Sequence, residues 1–452
     1  MQQYSTWPSW PRMAMASVAA AVMLGACGGD GPAESPPPDN CSVAGQQTWL
    51  RQYMDDWYFW YADSPRPSAS GYVDVASYFE AILFTGNPPT FPADRWSRSE
   101  STESFNRFFG DGATLGYGVS VAGLEITGLP HEPLYVRYVE ALSPAALQGV
   151  RRGDQVMSVN GRSTSELVAA DDFSALTANA KGDSLTLRLR RAGVERTVVV
   201  TADVFALTPV SGTSVVTSPQ GRKLGYVVVK DMISQALAPM DAAFASFKAA
   251  GVHDVVLDLR YNGGGLVSTG ATLASYVAGA QGDNRAYAWL RYSDKRSASD
   301  QRFAYSNPAA AVGLPRVIVL TGRRTCSASE QVINGLRGVG VQVLAVGDTT
   351  CGKPVGFLPT SACGQTYSVV NFESTNDRNE GRYFDGFDAT CPVAEDFTAD
   401  QGGASDPLMA VAAELADTGQ CPSLARATPL QRRSTSRHLG GASDERQDML
   451  AR

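Results

Sequence analysis

Two short stretches carry residue types that can do chemistry together: Thr325-Cys326-Ser327-Ala328-Ser329-Glu330 and Thr349-Thr350-Cys351-Gly352-Lys353. A serine placed where a strand gives way to a helix, and a lysine in a glycine-containing turn after the next strand, suit a hydroxyl nucleophile activated by a neutral amine instead of imidazole. Lysine titrates at about 10.4 in water and is a poor base at neutral pH; burial disfavours its charged form. Val355 and Phe357 beside Lys353 can supply that apolar wall. A third stretch, Asp258-Leu259-Arg260-Tyr261-Asn262-Gly263-Gly264-Gly265-Leu266, puts three glycines after a buried-strand pattern. Exposed backbone N–H groups at such a turn suit a developing oxyanion. Each stretch also has a plain reading. Ser327-x-x-Glu330 fits a capping box, the glycines fit an ordinary turn, and most lysines are on the surface. Ser329 and Cys326 remain alternative nucleophiles, Cys326 only if its thiol is free.

Residues 206–422 must position these turns. Buried-strand runs at 224–229, 255–260, 316–320 and 341–346 alternate with helical patterns from about Pro239 to Ala250 and Leu266 to Val277. That alternation predicts an α/β layer structure with mostly parallel strands, whose sites lie at the strands' C-terminal ends. Ahead of it, residues 112–205 run Leu115-Gly116-Tyr117-Gly118-Val119, then Ser143-Pro144-Ala145, then Gly153-Asp154-Gln155-Val156-Met157-Ser158-Val159-Asn160-Gly161, and close on alternating strands. This order resembles a PDZ domain, a β-barrel-like fold. The resemblance implies that the backbone of Gly116, Tyr117, Gly118 and Val119 cradles a chain-terminal carboxylate while the peptide adds as a strand. Residues 41–111 read as helical, with Trp49, Tyr53, Trp57 and Trp60 or Tyr61 at helical spacing as core packing. The fold class expected is thus multidomain α+β: helical N-terminal segment, PDZ unit and α/β core.

The three turns, in this order and after a PDZ unit, resemble the C-terminal processing (tail-specific) serine peptidases, whose pattern is DLR-x-N-x-G-G, then S-A-S-E, then T-x-G-K. The resemblance covers roughly residues 112–360. It implies that Ser327 attacks the scissile carbonyl, Lys353 takes its proton, and Gly264 or Gly265 with Ala328 stabilises the oxyanion. It further implies an endopeptidase cutting proteins near apolar C-termini, with no cofactor and no metal. Two features depart from the pattern. Phe357 stands where many members carry a glutamine that orients the lysine, and the serine-to-lysine segment is slightly long. A non-catalytic PDZ binder on a peptidase scaffold is the alternative. A penicillin-binding-type enzyme is excluded, because no serine lies three residues before any of the six lysines.

The formal net charge of −7 gives no basic surface for nucleic acid. The three histidines are scattered, and neither HExxH nor CxxC occurs. Residues 1–27 read as a signal peptide: Arg12, an apolar run from Met13 to Leu24, and Leu24-Gly25-Ala26-Cys27. The last four resemble a bacterial lipobox, which implies lipidation of Cys27 and a bacterial envelope protein, periplasmic or extracellular, held to the membrane by lipid alone. Residues 28–40 read as a Pro/Gly-rich tether and 423–452 as a disordered tail. The six remaining cysteines favour disulfides in an exported chain; the pairs expected are Cys326–Cys351, Cys363–Cys391 and Cys41–Cys421.

Overall fold

Four hydrophobic strands, Lys223–Val229, Asp254–Asp258, Arg316–Thr321 and Gln342–Gly347, run parallel and adjacent in a computed structural model of the chain. The structure describes residues 38, 40–122, 134–170, 172–422 and 448–451. The proposed signal segment, Cys27 and nearly all of the tether lie outside them.

These strands are apolar on both faces, as parallel strands covered by helices must be. Val227, Val229, Val255, Leu257, Val317 and Val319 pack with Met240, Phe244, Val332 and Ile333 of helices Leu237–Ala250 and Ala328–Gly338. Leu224, Tyr226, Val256 and Ile318 face the other way, onto Leu408, Met409, Ala412 and Leu415 of helix Pro407–Thr418. Alternation along each strand therefore fills two separate apolar layers. An antiparallel strand, Val210–Thr217, and a two-residue strand, Cys391–Pro392, close the edges.

A second sheet carries the order Gly264–Leu266, Asp448–Leu450, Val355–Phe357, Val370–Thr375, Ala286–Tyr292, Gln301–Ala304. Its first and third strands directly follow the glycine turn and the lysine turn. The strand between them comes from the far end of the sequence. The expected disordered tail therefore does not extend to 448–450, which is ordered and buried; residues 423–447 lie outside the description.

The PDZ region forms a five-stranded antiparallel path, Val119–Ala122, Leu134–Val139, Gln155–Val159, Ser184–Arg191, Val194–Thr201, around its own core of Leu134, Val136, Val156, Leu185, Leu187 and Val200. Helix Val43–Trp57 lays Trp49, Leu50, Tyr53, Met54 and Trp57 into the main core, as its aromatic spacing predicts.

The disulfides are Cys326–Cys351, Cys41–Cys363 and Cys391–Cys421. The first matches expectation. The other two correct it: pairing follows spatial neighbours that the fold creates, and sequence alone does not encode them. Cys391 and Cys421 flank helix Pro407–Thr418, whereas Cys363 belongs to a turn that meets the N-terminal helical region.

Candidate active site

Ser327 caps helix Ala328–Gly338 with φ 62° and ψ −117°, a left-handed conformation unusual for a side-chain-bearing residue. Strain of this kind costs about 1–3 kcal/mol and survives only where surrounding contacts hold it. The holding group is Glu330. Fully buried, it accepts from Ser327 N–H (2.9 Å), Gly352 N–H (2.8 Å), Lys353 N–H (2.9 Å) and Thr350 Oγ1 (2.6 Å). Burial raises its carboxyl pKa, and these four donors pull it back down. Ser327 and Glu330 stand in capping-box positions at the helix start. Glu330 closes its half with a 2.9 Å bond from the Ser327 N–H, whereas the buried Ser327 Oγ makes no hydrogen bond of full geometry.

The remaining candidates sort themselves. Ser329 Oγ donates to Asn262, at 2.9 Å to its carbonyl and 2.7 Å to its side-chain oxygen, so it is a brace for the glycine turn. Cys326 is consumed by its disulfide. Gly264 and Gly265 take φ of 107° and 137°, open only to glycine. A methyl group built on Gly264 would come within 2.9 Å of both Ala328 N and Ser327 Cβ, so the glycine turn, Ser327 and Ala328 border one small volume. Gly264 N–H already donates to Asn262 Oδ1 at 2.8 Å.

Lys353 is entirely buried, and its Nζ stands 3.8 Å from the centre of the Phe357 ring. Desolvation holds its pKa well below the ordinary lysine value, aided by the Arg98 charge and opposed by Asp448, Asp94 and Glu330. Phe357 thus fills the place of the missing glutamine with an aromatic face. It also lies 5.4 Å beneath the Arg98 guanidinium. Glu330 and Arg98 were missed in the sequence as site residues. The Ser-x-x-Glu spacing was the available signal for the first; nothing near Arg98 marked it.

In the PDZ unit, Gly118 has φ 74°, and an added Cβ would meet Ser143 Cβ at 2.0 Å, so only glycine fits. Its carbonyl accepts from Glu140 N–H (2.9 Å), and that of the buried Tyr117 from Ala145 N–H (3.0 Å). Gly116 ends one strand and Val119 begins the next, and the latter strand is an edge of its sheet. Arg152 joins this unit to the glycine turn, donating to Tyr261 Oη (2.6 Å) and to Glu395 (3.0 Å).

A parallel sheet with a strained, buried serine at a helix start, a buried lysine one strand away and an attached PDZ unit defines a peptidase-type α/β scaffold. Three family models match in the same order: the peptidase S41 N-terminal domain over residues 45–98, a PDZ domain over 135–191 and peptidase family S41 over 223–373. The chain thus carries peptidase S41 matches around a PDZ domain. It is 28% identical over 242 residues to a carboxyl-terminal-processing protease of Picosynechococcus, 51% of this chain and 54% of that one. It is 27% identical over 262 residues to the chloroplastic carboxyl-terminal-processing peptidase 1 of Arabidopsis thaliana, 58% of this chain and 51% of that one. The chain spans about half the length of the curated relatives it matches. Among solved structures, one from Bacteroides fragilis assigned to the S41 proteases aligns with TM-score 0.64 at 23% identity, covering 82% of this chain and 97% of that one. A photosystem II D1 C-terminal processing protease aligns with TM-score 0.51 at 18% identity, covering 78% and 94%. Both establish the likeness of fold.

Proposed function

We propose that this protein is a serine endopeptidase working through a Ser327–Lys353 dyad on protein substrates, near apolar C-termini captured by the PDZ unit. The reading is supported by a strained, buried Ser327 and a lysine whose burial favours the neutral amine, on two turns that Glu330 fastens together. Ser327 Oγ adds to the scissile carbonyl carbon while Lys353 Nζ accepts its proton. The N–H of Ala328, with that of Gly264 or Gly265, takes the oxyanion. Lys353 returns the proton to the leaving amine, and water then hydrolyses the acyl ester with the same lysine as base.

The edge strand Val119–Ala122 and the Gly116–Val119 loop support peptide capture by strand addition. Leu24-Gly25-Ala26-Cys27 supports a lipid-anchored envelope protein; detergent-phase partitioning of the full chain, lost in Cys27→Ala, tests that point. No helix among the described residues is long and apolar enough to cross a membrane.

The deciding experiment is digestion of an unstructured protein with an apolar tail. Wild type cleaves it; Ser327→Ala and Lys353→Ala each lose at least a thousandfold in kcat/KM. Cleavage surviving both changes refutes the dyad. No cleavage by wild type, with PDZ peptide binding intact, would favour the non-catalytic binder that Phe357 in place of glutamine first raised.

A further inference from the structure

The strand between the glycine turn and the lysine turn is Asp448–Leu450. It pairs parallel with Gly264–Leu266 on one side, in the register Gly264 to Asp448, and with Phe357 on the other, opposite Leu450. Asp448 N–H donates to the Gly263 carbonyl (3.0 Å), and Ala451 N–H to that of Phe357 (3.1 Å). A methyl group on Gly264 would meet the Asp448 carbonyl oxygen at 2.1 Å and Ser327 Cβ and Ala328 N at 2.9 Å. The Asp448 carbonyl therefore borders the same small volume as the serine and its neighbouring amide. Met449 and Leu450 are wholly buried, with Gln331 Nε2 3.5 Å from Met449 Sδ. The Asp448 carboxylate pairs with Arg98.

Without this segment, the strands after the two catalytic turns would face each other across a gap of two strand spacings, about 9.6 Å. Both would present unpaired backbone groups to it. Such a slot accepts an extended chain, gripped by main-chain bonds on both sides, with an acidic residue for Arg98 followed by two apolar ones. We infer that Asp448–Ala451 is an intramolecular occupant of the substrate slot, and that the slot takes extended peptides of this acidic-apolar-apolar class. Tethering gives the segment an effective concentration of roughly millimolar, so even a weakly held tail competes with free substrate. The inference rests on the proposed peptidase site for its meaning but not for its test.

The test uses the full chain carrying Ser327→Ala, the same chain lacking residues 448–452, and the full chain with Met449→Asp, which expels the tail without shortening it. The probe is a labelled peptide, Gln-Asp-Met-Leu-Ala-Arg, read by fluorescence anisotropy. The expected result is binding at least tenfold tighter to both tail-displaced forms than to the intact one. Binding weakens again when Arg98→Ala is added. Equal binding to all forms, or none to any, overturns the inference. With Ser327 restored, tail-displaced forms should show kcat/KM on an unstructured protein at least tenfold above the intact chain; hydrolysis that occurs but is the same in all forms would likewise overturn it. Tight peptide binding without hydrolysis by any form would uphold the slot and count against the peptidase reading instead.

Discussion

Lys353 shows what the proposed chemistry costs the fold. Between its lowered folded pKa and the ordinary value near 10.4, the unfolded chain binds a proton that the folded chain refuses, so protonation favours unfolding. Stability from this residue therefore rises with pH across that window. Lys353→Met should raise the melting temperature at neutral pH while abolishing cleavage, and the gain should shrink as pH approaches 10; calorimetry across pH checks this. Activity of wild type should fall on the acid side as the amine protonates. Arg98→Gln removes a cation that lowers the lysine's pKa, so the midpoint of that limb should move to higher pH in a kcat/KM profile. The motif residues themselves were legible in the sequence. The apolar wall at Phe357 was legible too, four residues after the lysine; Arg98 was not, because it comes from a distant part of the chain.

Among the elements, one carboxylate does most of the joining. Glu330 ties the start of helix Ala328–Gly338 to the loop before strand Val355–Phe357 through four accepted bonds, and the Cys326–Cys351 bridge runs beside it. Glu330→Gln replaces an acceptor with a donor facing N–H groups. It should cost about 1–3 kcal/mol in urea unfolding and lower kcat with little change in KM. Cys326→Ser with Cys351→Ser should lose about 2–4 kcal/mol yet keep most activity, because Glu330 still aligns the turns. Retained stability with lost activity would reverse that assignment. Strands and helices of the core were legible because apolar runs and helical spacing alternate plainly. The joining role of Glu330 was hidden behind a capping pattern that many helices share. Asp448–Leu450 gave no signal at all: three residues show no periodicity, and partners more than 90 positions away set their register.

Across the whole molecule, Arg152 is one of the contacts that join the PDZ unit to the core, with the Glu140–Lys230 ion pair another. Arg152 reaches from the PDZ unit to Tyr261, within the glycine turn, and to Glu395, which also meets the buried Arg260. Arg152→Ala should leave peptide affinity of the PDZ unit unchanged while altering kcat on a protein substrate severalfold or more, with both measured separately. The domain order and PDZ unit were legible from motifs in sequence order. The contact between them was not, since Arg152 and Glu395 are 243 positions apart.

Main-chain pairing of the inserted strand also carries a chemical veto. The nitrogens of residues 448 and 451 each donate a proton to a carbonyl of the walls, and proline has none to give. Polypeptides bearing an imino acid at either equivalent position should escape the proposed cleavage, whatever the character of their remaining side chains.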